Sequence, residues 1–235
     1  MIMEEQNSQN QTASNQIVAL LKDKSTLKQL IYENTFETFS MLKDVLHELI
    51  NDINEEVVSA DRRIKVDYRD RGKFEAEARI AEDILIFSMH SNIFEFSREH
   101  FIRQTSYVQK NTRNSYCGII SIYNFLADSF KYNRTSDLGY LIARIFINHE
   151  KHFFVEGKRQ MNSINDFSTQ IVDEQAIRTI LEKSIHYSLQ FDLLVPPYDE
   201  VKIATVEQVN TKIENGKLTT GKRLGFRFES DDILY

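Results

Sequence analysis

From Leu27 to Ile53 apolar residues recur at three- and four-residue steps: Leu27, Leu30, Ile31, Phe39, Leu42, Val45, Leu46, Leu49 and Ile53. That spacing follows the helical period, so one side of a helix is apolar. Lys28, Glu33, Glu37, Lys43 and Glu48 occupy the opposite side. The stripe covers about seven turns at ~3.6 residues per turn. Water is a poor neighbour for so long a face, so it has to lie on a sheet of the same chain or on a second copy. Ser25 is the expected N-cap, and the helix is placed at 25–56.

From Arg63 the period drops to two, the period of a strand. Ile64, Val66 and Tyr68 alternate with charged neighbours, and Asp70-Arg71-Gly72 supplies a turn. Phe74, Ala76, Ala78, Ile80, Ile84 and Ile86 continue the alternation, which favours strand over helix for 74–83. His90-Ser91-Asn92 reads as a turn into Ile93–Phe96, and a polar connection follows from Ser97 to Asn114. Tyr116–Phe125 reads as a strand buried on both faces. Residues 126–137 either extend it or form a loop. Leu141–Ile147 and His152–Lys158 read as a hairpin turning at 148–151. Asp173 caps a helix over about 174–190, a strand is expected from Val201, and Asn215-Gly216 marks a last hairpin. The fold class is therefore α+β: a mainly antiparallel sheet with a long N-terminal helix and a second helix near 174–190. Three parts are expected: a disordered tail at 1–16, the helix at 25–56, and an α+β domain at 62–235 packed with it as one globular unit.

Composition narrows the function. The net charge of −6 gives no general attraction to nucleic acid or to anionic membranes. No segment approaches the ~18 uninterrupted apolar residues of a membrane span. The polar start, Met1–Gln16, lacks the apolar core of a secretory signal. A lone cysteine, Cys117, rules out an intrachain disulfide framework. Cytoplasmic residence is the expectation. Gly-rich phosphate loops, the G-x-S-x-G elbow and the dinucleotide fingerprint have no counterpart in the sequence. Cys117, among apolar neighbours, reads as a small buried hydrophobe. His149 and His152 read as solvated turn residues, and no metal site is assigned.

Two arrangements carry chemistry. Tyr116, Tyr123, Asn124, Asp128 and Arg134 concentrate aromatic and hydrogen-bonding groups, the mixture that lines a ligand pocket or a protein interface. This supports the leading expectation, a non-enzymatic module that binds a ligand or a protein, needs no cofactor, and self-associates as a homodimer through residues 26–56. The second arrangement is Asp137 upstream of Glu156-Gly157-Lys158. On a strand Glu156 and Lys158 project from the same face. With three strands, a helix and a further strand from Tyr116 onward, this order resembles the core of PD-(D/E)xK nucleases, although Ser136 stands where that motif has proline. The resemblance implies an alternative function: an Mg²⁺-dependent nuclease in which Asp137 and Glu156 hold the cation and Lys158 orients the attacking water.

Overall fold

The computed structural model describes residues 13–135, 137–157, 167–190, 192, 195, 197–207, 209 and 210. Its longest element is helix α1, Thr26–Ala60, uninterrupted by glycine or proline. Helical backbone continues N-terminally through a π turn, Leu21–Ser25, and residues 13–20. Ser25 is therefore not an N-cap: its own backbone is helical and its side chain makes no capping bond. Ile17, Leu20 and Leu21 extend the apolar spacing upstream, so nothing local stops the helix at Ser25, and residues 13–16 belong to the helix rather than to the tail. The C-terminal end is better defined. Asp61 turns to extended backbone, and its Oδ1 accepts the Arg63 N–H at 2.9 Å.

The sheet is an antiparallel meander. Strands β1 (Val66–Asp70), β2 (Glu75–Ile80), β3 (Asp83–Met89), β5 (Tyr116–Leu126), β6 (Tyr140–Ile147) and β7 (Phe153–Gly157) lie side by side in that order. The two-residue β4, Phe94–Glu95, pairs with the start of β5. Short α2 (Ser106–Lys110) and α3 (Ala127–Lys131) flank β5 in sequence, and α4 (Glu174–Leu189) follows the sheet. Asp173 caps α4 as expected, accepting the Ala176 N–H at 2.7 Å.

The expected long alternation over 74–86 breaks at Ala81-Glu82. Ile80 pairs with Asp83 across a two-residue turn, and Ala81 takes φ 54. After the turn the faces exchange, so Leu85 and Phe87 join Ala76 and Ala78 on the inner face while Ile84 and Ile86 point outward. Alternation could not reveal this, because β3 is apolar on both faces. Of residues 126–137, Leu126 ends β5, α3 takes 127–131, and the described residues after it form the loop that the sequence offered as an alternative. The strand expected from Val201 is instead a short helix α5, Tyr198–Val201, so the element order that carried the nuclease resemblance is not met there. The hairpin at Asn215-Gly216 and residues Lys158 and Arg159 lie outside the described residues.

Helices α1 and α4 cover the inner face. Phe39, Leu42, Leu46 and Ile50 of α1 meet Leu85, Phe87, Ile120, Ile122 and Ile145 of the sheet, with Ile177, Ile180 and Leu181 of α4 closing the layer. The stripe is interrupted by Asn34, Thr35 and Thr38, all buried. Thr35 and Thr38 return their hydroxyls to the helix carbonyls of Ile31 and Asn34, at 2.7 and 2.8 Å. Their small size lets α1 descend onto β5 at Gly118, where a Cβ would fall 2.0 Å from Thr35 Oγ1. Leu30 sits off this face, 42% exposed.

The outer face carries two apolar clusters. Residues 96–115 cover one, in which Ile102, Val108 and buried Cys117 meet Phe146, Phe154 and Phe167. The other joins Ile84 and Ile86 to Ala127, Tyr123 and Phe125. Beside this second cluster lies the cavity described next. Among the described residues no helix is long and apolar enough to cross a membrane.

Candidate functional site

β5 ends where α3 begins, and the chain folds back along the outer face as a tightly bonded loop. Tyr132 N–H donates to Asp128 O at 3.0 Å, Arg134 N–H to Ser129 O at 2.8 Å, and Asp137 N–H to Arg134 O at 3.1 Å. Asn133 takes φ 48, which asparagine tolerates better than most residues. This loop, the end of β5 and Arg71 from the β1–β2 turn enclose a cavity of about 420 Å³. Its apolar wall is Phe125 and Phe130, which meet edge to face with centroids 5.3 Å apart. Its polar groups are Arg71, Ser129, Asn133, Arg134, Thr135 and Asp137. The volume and the mix of aromatic wall and few polar groups suit a small organic ligand.

Arg134 is the unusual member. Its side chain is only 2% exposed. Nε stands 2.8 Å from Asp137 Oδ2, an ion-pair separation, yet its N–H is not directed at that oxygen. Oδ2 is taken instead by the Ser129 hydroxyl at 2.7 Å. Arg134 Nη2 is enclosed with no acceptor among the described residues. Burying a guanidinium donor unbonded costs free energy that an acceptor would restore. Arg71 is better satisfied: Nη1 donates to Glu77 at 2.9 Å, Glu75 lies 3.6 Å away, and the guanidinium carbon sits 5.3 Å from the Phe130 ring centre.

The residues expected to form a ligand site separate in space. Arg134 lines the cavity, Asp128 lies on α3 beside it, and Tyr123 belongs to the adjoining apolar cluster. Asn124 faces inward, buried, with Oδ1 unbonded among the described residues. Tyr116 is at the far end of β5, hydrogen-bonded to Glu95 and approached by Lys24 at 5.6 Å. Arg71, Phe125, Ser129, Phe130 and Thr135 were not anticipated. The Phe125…Phe130 pair bracketing Asp128-Ser129 is a legible local signal, whereas nothing in the sequence joins Arg71 to residues 125–137.

The two carboxylates of the nuclease reading have different arginine partners. Asp137 faces Arg134, while Glu156 pairs across β6–β7 with Arg144, whose Nε donates at 2.8 Å and whose Nη2 also bonds it. Each carboxylate thus already has a cation beside it. Among the described residues no group of three His, Cys, Asp or Glu side chains is placed to hold a metal ion.

The β6–β7 turn is a second polar cluster. Asn34 of α1 donates to the carbonyls of Asn148 and His149 at 3.2 and 2.9 Å. Asn148 Nδ2 donates to the Tyr107 hydroxyl at 2.8 Å, and that hydroxyl bonds Glu150. Burial first, and then the Glu150 carboxylate, push the Tyr107 phenol up. His149 and His152 are half-buried rather than solvated. His152 stacks on Tyr107 at 5.2 Å, and burial holds the His149 imidazole below its ordinary range. Every bond named here joins one element to another, which is the pattern of a structural pin. Comparison with family models, with characterised proteins and with solved structures finds no match for this chain.

Proposed function

We propose that the chain is a non-enzymatic, cytoplasmic binding module that takes a small ligand in the cavity beside α3 and assembles with copies of itself. One observation carries the ligand reading: a cavity of about 420 Å³ is walled by the Phe125 and Phe130 rings and edged by a few polar side chains, Arg71, Ser129, Asn133, Arg134 and Asp137. Cavities of this size, with an aromatic wall and a few polar groups, are where small ligands bind. The loop that holds it is locked by its own backbone bonds, which keeps the cavity formed at low entropic cost to binding.

Self-association is supported by apolar surface that the chain's own sheet does not cover. Residues from Leu27 to Ile50 are spent on the core, but Ile17, Leu20 and Leu21 are 58–64% exposed, and Leu30 lies further along the helix. The proposed contact therefore starts upstream of residues 26–56. Cytoplasmic residence rests on the acidic balance and on a single cysteine whose thiol is buried and pushed up by that burial. Saturation-transfer NMR with a fragment set on the full chain and on Phe130→Ala tests the ligand reading. Phe130 is 40% exposed, so its truncation spares the core. Fragments binding the natural chain and not the variant are expected; equal binding to both would refute the site. Light scattering of the full chain and of an Ile17→Lys/Leu20→Lys/Leu21→Lys variant tests assembly. A dimer that becomes monomeric is expected, and a monomer in both removes that part of the proposal.

A further inference from the structure

Strand β1 ends the sheet: β2 pairs with it on one side, and among the described residues no strand pairs with it on the other. In an antiparallel ladder each residue sends its N–H and C=O to the same side, and successive residues alternate. Lys65 O accepts the Ala81 N–H at 2.7 Å, and the Arg71 N–H donates to Glu75 O at 3.2 Å. Lys65, Asp67, Arg69 and Arg71 therefore bond toward β2, while Val66, Tyr68 and Asp70 direct their backbone groups away from the sheet. Such a row is a template for a further strand. Asp67 and Arg69 indicate which strand: both are exposed, and neither side chain has a hydrogen-bonded or ionic partner among the described residues.

Laid antiparallel about a twofold axis at Tyr68, two copies of β1 match every outward backbone group: Val66 with the partner's Asp70, and Tyr68 with the partner's Tyr68. The same register sets Asp67 opposite the partner's Arg69 and Arg69 opposite the partner's Asp67. These are the close, non-hydrogen-bonded positions, where opposite charges attract and like charges repel. A slip of two residues either way sets Asp67 against Asp67 or Arg69 against Arg69. We infer that β1 is an interface with a second copy of this chain, joining two sheets edge to edge in the register of Tyr68 on Tyr68. This surface is separate from the helix contact proposed above and does not depend on it. A strand of 5 residues buries little area, so the pairing is weak and forms at roughly millimolar concentration, above that at which light scattering reads the helix contact.

The parent for the test is the full chain carrying Ile17→Lys/Leu20→Lys/Leu21→Lys, which leaves the helix contact out. The amide signals of Val66, Tyr68 and Asp70 are followed in the isotope-labelled parent as its concentration rises to about a millimolar, and they are expected to move. Asp67→Arg sets positive charges against each other at both positions, and Arg69→Asp sets negative ones. Each variant alone should therefore associate at least about tenfold more weakly. Mixed in equal amounts, the two variants restore opposite charges and should pair as the parent does. Each also faces a like charge on β2, Arg79 or Glu77, and unfolding midpoints record that cost. It persists in the mixture, so a damaged fold cannot mimic the rescue. Edge amides that stay in place in the parent would overturn the inference. So would single variants that associate like the parent, or a mixture that stays apart.

Discussion

Replacing Gly118 by alanine tests how α1 seats on the sheet. A Cβ at this position falls 2.0 Å from Thr35 Oγ1 and 2.8 Å from its Cβ and Cγ2, whereas comfortable carbon contacts are about 3.5–4.0 Å. Thr35 has no room to yield: it is fully buried, its χ1 is stiffened by β-branching, and its hydroxyl is bonded to Ile31 O at 2.7 Å. The helix must lift by roughly an ångström, loosening the contacts of Ile31 and Phe39 on either side. Overpacking of this kind costs about 1–3 kcal/mol, and the rigidity of both partners places Gly118→Ala near the upper end. Thr35→Ala alone removes one buried methyl, worth about 0.8 kcal/mol, and one hydroxyl bond, so about 1–2 kcal/mol is lost. In the double variant the worst clash, with Oγ1, is gone, although the residue-35 Cβ at 2.8 Å keeps part of the strain. The double variant should therefore be more stable than the sum of the singles requires, by about 1 kcal/mol or more. Urea unfolding followed by far-ultraviolet circular dichroism measures all four corners of the cycle. Additivity to within about 0.5 kcal/mol would mean that the two residues do not meet.

Other outcomes follow from the same geometry. Asn34→Ala should destabilise the fold by about 1–3 kcal/mol, because the carbonyls of Asn148 and His149 lose the side-chain amide that joins them to α1, the Asn148 oxygen keeping the Lys151 N–H; urea unfolding checks it. His149 is held below its ordinary value of 6.5, chiefly by burial, so the unfolded chain binds its proton more readily than the folded one. Its contribution to stability is complete above that value and is lost as pH falls through the folded value; His149→Gln should flatten this part of the decline in unfolding midpoints between about pH 7.5 and 5. At Gly139 a Cβ would lie 2.2 Å from the Phe125 ring, so Gly139→Ala should push that ring out of the cavity wall and weaken fragment binding, with unfolding midpoints recorded alongside.

The fold was legible where one period ruled a segment. The α1 stripe, the alternation of β1 and β2 and the Asp173 cap all act through near neighbours, so residue order reveals them. Polar residues inside the stripe were harder to read. Asn34, Thr35 and Thr38 look like a gap, yet they are buried because the helix approaches a glycine far along the chain. The face exchange at Ala81 was hidden for a different reason: β3 is apolar on both sides, so period two carries no sign of which side is in. At the site, Arg134 and Asp137 were both singled out, but for separate chemistries. Their meeting depends on a loop held by backbone bonds, and the contribution of Arg71 depends on sheet topology that no local pattern encodes.

The cavity is the centre of the account, and phenylalanine side chains report on it directly. In the full chain labelled with ¹³C at phenylalanine, a bound aromatic fragment should move the ring signals of Phe125 and Phe130. Those of Phe39 and Phe87, fully buried on the inner face, should stay in place. Fragments that leave Phe125 and Phe130 unmoved, or that shift only phenylalanines elsewhere, would contradict the assignment of this cavity as the binding site.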